Sequence, residues 1–339
     1  MNPKVNNLSQ SYKQAKNDIL WILDSNVQVD SGVLARSVDA LLGPHPVTGT
    51  AKHVPSRRIG LVHHVPYASV SGQALGSNIE EAFLNTNHAK MYLAINRVAI
   101  DSCVIGKSNM YRRSDVDRVC GDLKPLLSDS PADASRTTGF PAFGRFLAED
   151  NMIAAALWHE LGLRHELSCD VAKNVVGSMT VMDYFKRRVR WIRVRKNMVT
   201  AATLVEPFTE CFMLSMIACW AMNTLWGVPA WLVLVIHYLA WIAVDLDIYE
   251  SLAGHYLPPE KRWSFLSAWF LRELLALPIW IYGMLGSEVE WRGRQFRIIR
   301  NGEIMRATRS RAWWLAFLNR GKSREEYEQV DQDSIALSG

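Results

Sequence analysis

The sequence lacks most short signatures that tie a chain to one chemistry. It has no G-x-G-x-x-G turn, no phosphate loop ending in G-K-S/T with the required upstream glycine, no Ser-His-Asp signature and no C-x-x-C pair. Those absences remove the usual dinucleotide, P-loop, serine-hydrolase and zinc-ribbon readings. Its five cysteines, Cys103, Cys120, Cys169, Cys211 and Cys219, are odd in number and scattered, which argues against a disulfide framework and for a reducing, cytosol-facing compartment. Met1 to Asp18 is polar throughout and carries no apolar core of a secretory signal. Between Cys211 and Val244 there is no Asp, Glu, Lys or Arg at all. A stretch that long without charge is a membrane candidate, since about 20 apolar residues cross ~30 Å of hydrocarbon.

What is present fits that reading. Tryptophan is frequent, thirteen in 339 residues, and most lie from Trp191 onward, as in a chain whose second half meets a bilayer interface. The net charge of +5 is modest but clustered. Lys186, Arg187, Arg188, Arg190, Arg193, Arg195 and Lys196 precede the apolar region; Arg292, Arg294, Arg297 and Arg300 follow it. Beside apolar helices, such clusters point to anionic lipid and not to nucleic acid.

The first half reads as α/β. Ile19–Leu23 is a short apolar run closed by Asp24-Ser25-Asn26, which predicts a buried parallel strand with an acid at its carboxyl edge, where open α/β sheets bind ligands. Ile59 to Val65 predicts a second strand, Ile79 to Ala94 a helix, and Cys103 to Gly106 another strand. Gly43 to Arg58 and Asp129 to Gly139 are loop-like in composition. Asp150 to Leu163 has helical apolar spacing, with Glu149 and Asp150 at the dipole-positive end. The apolar region breaks at Gly227-Val228-Pro229 into a helical hairpin. A third apolar segment, Phe265 to Leu285, carries Arg272-Glu273 and Pro278. If that segment also spanned, the two basic clusters would fall on opposite sides, against the positive-inside rule. The expectation is two full spans and a re-entrant or interfacial third segment, with both clusters cytosolic. Four regions follow: 1–177 an α/β domain, 178–203 a basic interface helix, 204–286 membrane, and 287–339 a basic, then polar tail.

A few residues carry candidate chemistry. Asp24 could ligate a divalent cation held with a nucleotide diphosphate, although Asn26 stands where a D-x-D pair would have its second acid; it reads equally as a turn former. Asp150 could take a proton from an attacking hydroxyl or simply stabilise a first helical turn. Arg187, Arg190 and Trp191 form an Arg-x-x-Arg-Trp set before the membrane region, also the pattern of an interface anchor. Lys4 could meet phosphate, His88 reads as a surface histidine, and His63-His64 have no partner at metal-ligand spacing.

Taken in order, these pieces resemble the ceramide glucosyltransferase family. The likeness is carried by Asn2-Pro3-Lys4-Val5-Asn6-Asn7-Leu8, Asp18 to Ser25, Gly60 to Tyr67 and Thr86-Asn87-His88. It continues through Cys103 to Ser108, Ala148-Glu149-Asp150, Arg187-x-x-Arg190-Trp191, Glu210-Cys211-Phe212 and Ala268 to Glu273, over about residues 2 to 300. The resemblance implies a partial GT-A domain, an α/β fold, followed by a C-terminal helical membrane region. It also implies inverting transfer of glucose from UDP-glucose to the primary hydroxyl of ceramide. On this likeness Asp150 corresponds to the base, Asp24 to the metal and nucleotide aspartate, with Mg or Mn as the cation. Lys4 lies near the nucleotide, and His88, Arg187, Arg190 and Trp191 bind substrate. A Golgi or ER membrane with the catalytic domain facing the cytosol is implied, with a homo-oligomer left open. In the family an anchor and the first strands precede the Asn-Pro-Lys motif, so a truncated chain is the matching expectation. Two alternatives stand beside it: a catalytically silent membrane protein pairing with a full-length enzyme, and a processive membrane polysaccharide synthase, against which the single short hairpin speaks.

Overall fold

A computed structural model describes residues 2–43, 58–70, 72, 74–125, 137–291 and 294–306. Most of the Gly43 to Arg58 loop, the first part of the Asp129 to Gly139 loop and the tail beyond 306 lie outside the described residues.

The chain opens with α1 (Pro3–Gln14), capped by Asn2, whose side chain accepts from the Lys4 N–H at 2.7 Å, with proline at the first helical position. Then come β1 (Ile19–Leu23), β2 (Val27–Gln28), α2 (Val33–Leu42) and β3 (Ile59–Val70). Next, α3 (Leu75–Phe83) runs through a π-turn, Leu84–His88, into α4 (Ala89–Val98). After β4 (Ser108–Arg112) and the short α5 (Arg113–Val116), a 3-10 turn at Phe140–Arg145 leads to α6 (Glu149–His159) and β5 (Arg164–Val176).

The five strands form one mixed sheet in the order β1-β4-β3-β5-β2, in which β3 and β5 are parallel and the other pairs antiparallel. The central strand β3 is apolar or histidine-bearing along Gly60 to Pro66 and buried throughout that run, as a strand covered on both faces must be. Two expectations fail at the sheet. Strand β1 pairs antiparallel with β4 and is only half-buried, because among the described residues β4 is its one neighbouring strand. Cys103 to Gly106 is not a strand. The Ile105 N–H donates to the Tyr92 hydroxyl at 3.2 Å and Asn151 Nδ2 to the Val104 carbonyl at 3.2 Å, so this backbone is bonded to side chains and the strand starts at Ser108.

Thr180 and Asp183 make a reciprocal capping box at the start of α7 (Val181–Met198), which contains the whole basic run. Then α8 (Thr200–Val205) and a 3-10 turn, Glu206–Thr209, meet α9 (Cys211–Trp226) at a 63° bend. After Gly227, in the left-handed conformation, α10 (Ala230–Ala253) completes the expected hairpin. The long α11 (Arg262–Leu285) continues through Pro278. By length and composition α10 and α11 can each cross a membrane, and the bent α8–α9 pair forms a third span if counted as one. The break therefore falls in the first arm, not in the third segment. Helix α11 is still unlike α10: 33% of its apolar window is buried against the rest of the chain, compared with 6% for α10. Phe265, Ala268, Trp269 and Ile279 of α11 join Ile79, Phe83, Tyr184 and Ile192 in one core. The first residues expected to be a tail instead form an antiparallel sheet, β6 (Glu288–Trp291), β7 (Arg294–Ile298) and β8 (Ile304–Arg306). It packs Val289, Phe296, Ile298 and Ile304 on Val194 of α7. A second core, with Leu61, Tyr111, Phe140, Phe143, Met152 and Leu157, joins the sheet to α1 and α6.

Candidate active site

Buried Asn2 fixes one wall. Its side-chain amide donates to the Phe146 carbonyl and to Glu149 Oε2, both at 2.8 Å, which joins the start of α1 to the start of α6. Lys4 then stands among carboxylates, 3.0 Å from Glu149 Oε1 and 3.2 Å from Asp24 Oδ1, and donates to the Gly106 carbonyl at 3.4 Å. Asp24 is held on its other oxygen by Lys107 at 2.9 Å. Burial alone would push the Lys4 ammonium toward neutrality, but the charges of Asp150, Glu149 and Asp24 outweigh it and its pKa is raised. The Glu149 carboxyl is raised by burial and by Asp150, against the pull of Lys4.

Glu149 and Asp150 divide their work. Glu149 is buried on Lys4 and Asn2, whereas Asp150 faces open space on both sides of the wall. Gly106 makes room for it: a Cβ there would fall 1.7 Å from Asp150 Oδ2. Any other residue at 106 would displace the carboxylate.

The Arg-x-x-Arg-Trp spacing puts Arg187, Arg190, Trp191 and Val194 on one face of α7, at i, i+3, i+4 and i+7, and that face lines the cleft. Arg187 is tied by its Nε to Glu80 Oε1 at 2.7 Å. Arg190 has no carboxylate partner among the described residues, and burial, with Arg187 nearby, lowers its pKa. A half-buried guanidinium facing a cleft without a counter-ion favours an anionic ligand.

Two cavities meet here. A polar cleft of about 230 Å³ contains Lys4, Asp24, Lys107, Asp150, Arg190 and Trp191. A more apolar chamber of about 160 Å³ adjoins it, lined by Phe83, Leu84, Met91, Ile95, Val104 and Met198. Asp150, Arg187, Trp191 and Val194 line both. His88 lines only the chamber, so the structure separates it from Lys4 and Asp24. Its ring stacks on Tyr92 at 5.8 Å, Nδ1 has no hydrogen-bond partner among the described residues, and its pKa is pushed down to about 3 by burial, with Arg188, Arg195 and Arg187 adding to the effect. The imidazole is neutral at physiological pH, with a free nitrogen for a ligand.

The sequence named Asn2 and Lys107 only within the motifs of the resemblance and gave them no role, and it gave none to the Glu206 carboxylate, which accepts from Arg195 at 2.6 Å and lies 3.7 Å from Arg188. It also missed the π-turn that carries His88. The signal for the π-turn was Asn85-Thr86-Asn87, three polar residues inside a helical pattern, all buried. For a divalent cation the described residues make no centre by themselves. Both Asp24 oxygens are bonded to ammonium groups, and no three His, Cys, Asp or Glu among the described residues converge on a common point.

An α/β domain whose cleft is joined to an apolar chamber beside membrane-length helices here belongs to the glycosyltransferases: the family model described as Glycosyl transferase family 21 matches residues 1–304. The chain belongs to that family. Its relatives include the ceramide glucosyltransferase of Komagataella phaffii, 39% identical over 88% of this chain and 68% of the relative. Those of Candida albicans, at 35% over 88% and 71%, and Gibberella zeae, at 33% over 96% and 75%, are also similar.

Proposed function

We propose that this chain transfers glucose from UDP-glucose to the primary hydroxyl of ceramide with inversion, on a GT-A type domain. The observation that carries the reading is the meeting of an anion-receptive cleft and an apolar chamber at Asp150. The diphosphate lies against Lys4, Lys107 and Arg190, where exchanging carboxylate partners for phosphate keeps both lysines paired. The lipid's chains occupy the chamber and its hydroxyl reaches Asp150, with His88 Nδ1 available to its polar head. The hydroxyl oxygen attacks the anomeric carbon from the face opposite the diphosphate. The carbon–oxygen bond to the diphosphate breaks, UDP leaves with the electron pair, and the hydroxyl proton passes to the Asp150 carboxylate. Arg187 and Trp191, shared by both cavities, orient the two substrates. A divalent cation would arrive with the nucleotide, with Asp24 as its protein ligand, and would neutralise phosphate charge; no step above depends on it.

The proposed setting is a Golgi or ER membrane with the domain facing the cytosol. In that setting α10 and α11 are the two full spans, and the bent α8–α9 pair enters the bilayer at its break. Purified protein in lipid nanodiscs, supplied with UDP-glucose and a short-chain fluorescent ceramide, is expected to give β-linked glucosylceramide. Glucose appearing on another acceptor or as a polymer, or an α-linked product, would refute the reading.

A further inference from the structure

A π-turn needs support from outside, because the extra residue breaks the regular helical ladder. At Leu84–His88 one support comes from the sheet: the Asn85 side chain accepts from the Ala68 N–H at 2.7 Å and donates to the Ala68 carbonyl at 2.9 Å. The other supports come from the apolar helices. Asn87 Nδ2 donates to Glu210 Oε1 at 2.9 Å, and Glu210 Oε2 lies 3.2 Å from Arg272 Nη1 of α11. Arg272 also bonds Glu273, which accepts from the Phe212 N–H at 3.4 Å. Two residues past His88, the Lys90 ammonium pairs with Asp245 of α10 at 2.7 Å and lies 4.2 Å from the Trp241 ring. The second Asp245 oxygen accepts from Trp269 Nε1 at 2.7 Å.

His88 therefore sits between two anchors, one residue before it and two after, each ending on a charged group of the apolar helices. Asp245, Arg272 and Glu273 are each 1% exposed. Buried ion pairs add little net stability over an apolar replacement, and their best-attested use is to select one geometry. Here the geometry selected is the height of His88 Nδ1 in the chamber. We infer that Asn87, Glu210 and Arg272, together with the Lys90–Asp245 pair, are positioning residues for the lipid acceptor, coupling its site to the seating of the membrane helices. The inference rests on the proposed placement of the acceptor in that chamber. The polar cleft is held by a separate set, Asn2, Lys4, Asp24 and Glu149, so the two substrates are predicted to respond differently.

The test is steady-state kinetics of the full chain in nanodiscs, varying UDP-glucose and ceramide separately. Asn87→Asp sets a carboxylate against Glu210 and is expected to raise the acceptor KM about tenfold with the donor KM unchanged. Adding Glu210→Gln restores a donor to the new carboxylate and keeps an acceptor for Arg272, and is expected to return the acceptor KM to within about threefold of the parent. The reversed pair Lys90→Asp with Asp245→Lys is expected to exceed either single variant in acceptor affinity, which keeps the test open if Asn87→Asp does not fold. Donor and acceptor KM moving together, or no recovery in either double variant, would overturn the inference. His88→Ala in the same assay separates the two readings. If it leaves the acceptor KM unchanged, the chamber is not the acceptor site; if it raises that KM while the anchor variants do not, only the positioning role is lost.

Discussion

His88 and His165 are buried bases whose protonation the fold resists: burial pushes them down to about 3 and about 4. In the unfolded chain both take a proton as pH falls through about 6.5. Between those values the unfolded state binds the extra protons, so their contribution to stability is complete above about pH 6.5 and is lost as pH falls toward 3. Thermal unfolding in detergent is expected to show a melting temperature that drops steeply from pH 6.5 to 4, with a shallower drop in His88→Gln. Parallel curves for parent and variant would contradict the burial of a neutral imidazole. The sequence offered His88 only as a surface histidine with a family resemblance: the polar run Asn85-Thr86-Asn87 marks the place where the helix widens, but polar residues there suit a solvated face equally well until their burial is seen. Asp150 was more legible, because an acid beside Glu149 at the head of an apolar helical run has a defined place in the first turn, although the helix proves to be buried along Met152 to Leu157 and not on one stripe. The split between Asp150 and Glu149 was not, because it depends on Asn2 and Lys4, nearly 150 positions away.

At the level of elements, the shared face of α7 was readable: Arg187, Arg190 and Trp191 at i, i+3 and i+4 have to lie together, and that face, extended by Val194, lines the cleft. Helix α6 and the hairpin break at Gly227 were readable for similar local reasons. Strand direction was not, since β1 is short and its pairing with β4 is set by distant residues. Cys103 to Gly106 looks like a strand by composition but is claimed by the hydroxyl of Tyr92 and the amide of Asn151. The π-turn depends on Asn85 in a specific way. Asn85→Ala leaves both the N–H and the carbonyl of Ala68 without these side-chain bonds in a buried place, and is expected to cost about 3 kcal/mol. Chemical denaturation measures this; a loss below about 0.5 kcal/mol would mean that water replaces the amide.

For the whole molecule, the chain leaves the domain at the end of α7 and returns to the same helix after α11. Lys196 Nζ donates to the Met284 carbonyl at 3.0 Å, Arg193 Nη1 to the Glu288 carbonyl at 2.6 Å, and β6 to β8 pack on Val194. The basic run of α7 and the start of the C-terminal sheet are therefore in contact, and in the proposed membrane setting both are expected on one side, the arrangement that the positive-inside rule favours. In sealed vesicles, Gln10→Cys and Gln295→Cys are expected to react with an impermeant maleimide from the same side. Labelling from opposite sides would place the C-terminal sheet across the bilayer and separate it from α7.

The central claim is that Asp150 acts on chemistry at the junction of the two cavities, and Asp150→Asn tests it most directly. The amide keeps the side chain's size beside Gly106 but accepts no proton at neutral pH. The variant is expected to bind UDP-glucose and ceramide with KM values near those of the parent and to lose about 10²–10⁴-fold in kcat. A variant that turns over at the parent's rate, or one that loses only substrate affinity, would contradict the account.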